Sequence, residues 1–149
     1  MVSKKGWRRE DRPEIVDLFN EIQSAFPHLE MILNTNHAHV DLDFEIPVQA
    51  GLSFPINLNL QGDELHISSG AFWLSYYPCH RDDVRRAYLD TVRGLLSGEY
   101  RLLEHRRGSK VAKVELQKPA EDGWETIGTS GSAVWLPFEK RTLVVVQNC

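Results

Sequence analysis

Between Asn36 and Pro47 the chain reads NHAHVDLDFEIP, in which Ala38, Val40, Leu42, Phe44 and Ile46 alternate with His37, His39, Asp41, Asp43 and Glu45. Strict alternation of this length predicts a strand with one buried and one hydrated face. LSFPINLNL repeats the pattern with Leu52, Phe54, Ile56, Leu58 and Leu60 inward, then reaches Gly62-Asp63 and ELHIS. A two-residue loop with Gly first predicts a type II′ hairpin, pairing Leu60 with Leu65, Leu58 with Ile67 and Asn59 with His66. If PVQAG also reverses the chain tightly, Ile46 faces Leu52, Asp41 meets Asn57 and His39 meets Asn59. The polar row would then read His39, Asn59, His66.

Helical periodicity appears twice. In DRPEIVDLFNEIQSAF, Ile15, Leu18, Phe19, Ile22 and Phe26 share a face. Asp11 is placed to cap that helix, with Glu14 completing a box and Pro13 in the first turn. From about Arg81 to Ser97 a second stripe contains Val84, Tyr88, Thr91, Val92 and Leu95, with Gly98 as its stop. GAFWLSYYPC reads as a strand closed by Pro78, and EYRLLEHR, SKVAKVELQ, GWETIGT, SAVWLPF and RTLVVVQN read as further strands. The order is one helix, about four strands, one helix, about four strands. Short links between strands exclude parallel crossovers, so the expectation is an α+β fold with a mainly antiparallel sheet.

At 149 residues and 42% hydrophobic, the chain has the size and apolar content of a single globular domain, 1–149, with residues 1–10 as a flexible basic arm. No stretch approaches the roughly 20 apolar residues of a membrane helix and no apolar run follows the basic start, so the expected location is cytoplasmic. Cys79 and Cys149 are too few for a disulfide framework.

The net charge of −4 conceals an uneven distribution. Residues 1–12 carry a net +3 and residues 81–149 a net +2, whereas Pro13 to His80 contains nine carboxylates and no Lys or Arg. Those carboxylates must find bases from the second half, bind a cation or face water. An acidic surface repels phosphate backbones, which excludes nucleic acid as a partner for this half and favours a basic protein.

Several residues invite chemistry. His37, His39, Asp41 and Asp43 project to one side of a strand, and His66 next door offers a third imidazole for zinc or iron. Cys79 precedes the second helix beside His80 and Arg81, a setting that favours a reactive thiolate. GTSGSA, residues 128–133, lacks the final Gly of a nucleophile elbow and the Lys of a phosphate loop, and is expected to be a turn. Arg81, Arg85, Arg86 and Arg93 decorate the second helix, where Asp82 and Asp90 are spaced to pair with Arg86 and Arg93. The aromatic runs FWLSYY and VWLPF are expected in the core, and any exposed part would mark a homodimer or partner surface.

The leading expectation is a non-enzymatic protein-binding module that uses Asp41, Asp43, Glu45, Asp63 and Glu64 to engage a basic partner. A small, cysteine-poor chain with an acidic half shares this general profile with toxin-neutralising immunity proteins and secretion chaperones. The alternative is a metal-dependent hydrolase with His37, His39 and His66 as ligands and Asp41 or Asp43 as ligand or base.

Overall fold

A computed structural model describes residues 12–34, 41–131 and 141–148. The chain runs α1 (Pro13–Ala25), β1 (Ile32–Asn34), β2 (Leu42–Ile46), β3 (Ile56–Gln61), β4 (Glu64–Ser69), β5 (Phe72–Tyr76), α2 (Asp82–Ser97), β6 (Arg101–Arg107), β7 (Lys110–Ala120), β8 (Gly123–Gly131) and β9 (Arg141–Val146). The strands form two antiparallel sheets, ordered β1-β2-β3-β4-β5 and β8-β7-β6-β9. This is the expected α+β class, with five and four strands. β1 escaped the alternation pattern because it has only three residues, all of them exposed.

Helix α1 buries Ile15, Leu18, Phe19 and Ile22, the predicted face. The expected Asp11 cap lies outside the described residues. The N-cap position belongs to Arg12, which makes no side-chain cap bond. Instead the Arg12 guanidinium donates to the carbonyl of Gly62 and reaches Asp63 at 3.5 Å, fastening the start of α1 to the β3–β4 hairpin. Helix α2 ends at Gly98 in the left-handed conformation that glycine favours. The next residue but one then folds back, its amide donating to the Gly94 carbonyl at 2.9 Å while the Tyr100 ring fills the space a Cβ on Gly94 would need.

The inward residues of β2, β3 and β4 join α1 and α2 in one continuous apolar cluster that also takes in Leu102, Val114 and Leu116 of the second sheet. Phe19 stacks on Phe44 at 5.2 Å, and Tyr88 packs edge-on to Phe19 and Tyr76 while donating its hydroxyl to the His66 carbonyl at 2.8 Å. Where the sheets meet, β5 and β8 lie side by side. The Trp73 amide donates to Ser130 Oγ at 3.1 Å, and that hydroxyl donates to the Ala71 carbonyl at 3.3 Å.

The β3–β4 hairpin has the predicted register, with Gly62 at φ 56° as its first turn residue. The preceding connection does not. Ile46 pairs with Ile56 and Asp43 with Asn59, so the expected pairing of Ile46 with Leu52 and of Asn59 with His39 is corrected. A separate bridge between Gln49 and Leu52 closes a small turn inside the connection, and β3 starts only after Pro55. The slip is even in number, so the inward set is unchanged. GTSGSA is corrected as well: Gly128 to Gly131 continue β8 and pair with β7. SAVWLPF lies outside the described residues apart from its neighbours. No helix among the described residues is long and apolar enough to cross a membrane.

Candidate functional site

On the side of the first sheet away from the helices, the register sets Asp43, Asn59, His66 and Ser75 in one cross-strand row. Glu45, Asn57, Ser68 and Trp73 form the next. The expectation of a hydrated face fails in the middle of it: Asp43 is 5% exposed and His66 is 4% exposed. They are held by a polar network. Asn57 Nδ2 donates to Asp43 Oδ1 at 2.7 Å and to Glu45 Oε1 at 2.9 Å, joining two like charges through one amide. Asn57 Oδ1 accepts from Asn59 Nδ2 at 2.9 Å. His66 Nε2 donates to Glu64 Oε2 at 2.9 Å, and its ring meets the edge of Trp73 at 5.1 Å. Buried polar groups persist where such partners satisfy them.

The five predicted partner-binding carboxylates therefore divide. Asp43 is buried, so it cannot touch a macromolecular partner. Asp41 Oδ2 accepts the Gly62 amide at 2.8 Å and braces the hairpin. Asp63 is paired with Arg12 and Glu64 with His66, while Glu45 is exposed and accepts from Asn57. Of the predicted metal ligands, His37 and His39 lie outside the described residues, and His66 directs Nε2 at a carboxylate. No group of three His, Cys, Asp or Glu side chains suited to a metal occurs among the described residues.

A second acidic surface lies between the helices. Glu14, Asp17 and Glu21 follow one face of α1 and, with Leu18, face Asp82, Arg85, Arg86 and Leu89 across a groove of about 350 Å³. The ion pairs of α2 differ from those predicted by spacing: Asp82 pairs with Arg85 rather than Arg86, and Asp83 pairs with Arg81 at 2.6 Å. Arg85 also donates to the Cys79 carbonyl at 2.8 Å, which draws it to the helix start and away from α1. Among the described residues, Glu14, Asp17, Glu21, Glu30 and Glu45 form no ion pair with any base.

Cys79 is buried beneath this acidic end. The predicted thiolate is not what its surroundings favour: burial pushes the thiol up, the Arg12 guanidinium opposes that, and Asp63 and Glu14 reinforce it. The cation near the sulfur is Arg12, at 3.9 Å, and Arg81 is turned to Asp83. FWLSYY splits between environments, with Phe72 buried and Trp73 and Tyr77 exposed.

Sequence reasoning missed a polar chain on the outer face of the second sheet. His105 Nε2 donates to Glu115 Oε2 at 2.7 Å, Thr126 Oγ1 donates to Glu115 Oε1 at 3.3 Å, and Gln117 Nε2 donates to Thr126 Oγ1 at 3.2 Å. Arg101 Nε donates to Gln117 Oε1 at 2.8 Å, and its guanidinium lies 4.1 Å from the Trp124 ring centre. The available signal was alternation: Arg101, Leu103 and His105 oppose Gln117, Glu115 and Lys113 once Gly108 is read as the hairpin turn. No protein-family model, curated protein or solved structure matches this chain.

Proposed function

We propose that this protein is a non-enzymatic binding module whose acidic surface engages a basic protein partner. The observation that carries this reading is that, among the described residues, Glu14, Asp17, Glu21, Glu30 and Glu45 form no ion pair with a base. Unpaired charges of one sign over a low-dielectric body produce a field that steers an oppositely charged protein into contact. The groove between α1 and α2 adds shape to that field. Its α1 wall is acidic and its floor includes Leu18 and Leu89, so it suits the apolar stem and cationic head of a lysine or arginine. Arg85 and Arg86 on the opposite wall repel a base that enters from the α2 side, which fixes the approach.

This reading moves the contact surface from the residues first suggested by alternation to the helix face beside them. The test is calorimetric binding of an oligolysine peptide at low and high salt. Neutralising α1 with Glu14→Gln, Asp17→Asn and Glu21→Gln together should weaken binding at low salt by about tenfold, since exposed charge pairs contribute roughly 0.2–1 kcal/mol each. Glu121→Gln with Asp122→Asn, at the distant β7–β8 turn, should leave it within about twofold. Equal losses in the two variants, or wild-type binding by the α1 variant, overturn the proposal.

A further inference from the structure

We infer that β9 is a self-pairing edge through which two copies of this chain join their second sheets into one. The two sheets have four edges, and three of them are protected in the ways that prevent edge-to-edge association. β1 is three residues long. β5 meets the end of β8 at Ser130, which bonds Trp73 and Ala71, and the rest of β8 carries Glu125 and is interrupted by a bulge at Leu116 and Gln117 of its neighbour. β9 is different. It is six residues long, pairs with β6 in unbroken register, and pairs with no other strand among the described residues. From Thr142 to Val146 it has no Lys, Pro or charged side chain to discourage a neighbour.

The occupant follows from the strand's own sequence. In an antiparallel pair, residues directly opposite point to the same face. A twofold axis through Val144 therefore sets Leu143 of one copy opposite Val145 of the other, twice, on the outer face. Those two residues are 53% and 49% exposed, so the pairing covers the apolar surface that the single chain leaves open. Leu103, opposite Val145 on β6, extends that strip. The same register puts Arg141 opposite Gln147 and Thr142 opposite Val146, so no like charges meet. Identical strands that match themselves across a twofold form a closed, isologous contact. Because the contact is a single strand edge, smaller than standard interfaces, self-association should be weak and is sought between about 1 µM and about 1 mM protein.

Sedimentation equilibrium across that range, on the 149-residue chain with Cys149→Ser, should show a reversible monomer–dimer equilibrium. Leu143→Lys and Val145→Lys, both at exposed positions, should each raise the dissociation constant at least about tenfold while thermal melting of the monomer stays unchanged. An equimolar mixture of Leu143→Cys and Val145→Cys chains should form a disulfide-linked heterodimer faster than either chain links to itself. A monomer at every concentration, a dimer indifferent to both lysines, or preferential linking of Leu143→Cys to itself overturns the inference.

Discussion

Both sheets are antiparallel, the first a meander and the second with β9 returning past β8 to the β6 edge, and they are stabilised differently. β2 to β5 bury Leu42, Phe44, Ile46, Ile56, Leu58, Leu60, Leu65, Ile67 and Phe72 under two helices, whereas the buried apolar side chains of β6 to β9 are, among the described residues, Leu102, Val114 and Leu116. What the second sheet lacks in apolar cover it replaces with the outer chain from Arg101 to His105. His105 is 8% exposed although it lies on the face away from the core, and its Nδ1 is buried without a partner. Each sheet thus holds one buried histidine against a glutamate on its outer face. The lesson is that the two halves should respond to different perturbations: the first to cavities, the second to charge.

The sharpest way to break that contrast is to truncate a large apolar side chain in each sheet. Phe44→Ala deletes a ring stacked on Phe19 in the main core, and should cost about 3–5 kcal/mol in urea unfolding. Ile127→Ala, in exposed β8, should stay within about 0.5 kcal/mol. Comparable losses would mean that the second sheet carries an apolar core of its own.

The next effect in size lies at the joint between the halves. A Cβ on Gly94 would sit 2.3 Å from Cγ of Tyr100, and a ring anchored by its own backbone bond to Gly94 has little room to retreat. Gly94→Ala should destabilise by about 1–3 kcal/mol despite the better helix propensity of alanine. In a Tyr100→Ala background the same change should become neutral or favourable. A penalty that persists without the ring would place its cause elsewhere in α2.

Much of this contrast could be read from the residues, and the failures have physical causes. Gly62-Asp63 dictated both a turn type and a register, so the β3–β4 ladder followed pair by pair. PVQAG fixed only that the chain turns; the Gln49–Leu52 bridge and Pro55 absorbed four extra positions, which alternation alone could not count. Gly128 and Ser130 belong to a strand because β5 is beside them: Leu74 occupies the space over Gly128, and the Ser130 hydroxyl satisfies Trp73. No local pattern encodes that neighbour. The acidic run was plain in the sequence, but which carboxylates stay free depended on Arg12, Asn57 and His66 arriving from elsewhere in the fold.

The smallest effect tests the role of charge in the second sheet. The hydrogen bond from His105 holds the Glu115 carboxyl below its ordinary value of 4.5, with burial opposing and Lys113 assisting. Because the folded value lies below the unfolded one, the stabilisation is complete above that ordinary value and is lost as pH falls through the folded value. Glu115→Gln removes the charge and keeps one accepting oxygen, enough for one of the two hydrogen bonds that His105 and Thr126 make to separate oxygens of Glu115. The variant should therefore melt below wild type near pH 7, and the gap should narrow as the pH is lowered below 4.5. Melting curves separated by the same interval throughout would show that the hydrogen bonds, and not the carboxylate's charge, secure the outer face, and the contrast between the sheets would then be one of packing alone.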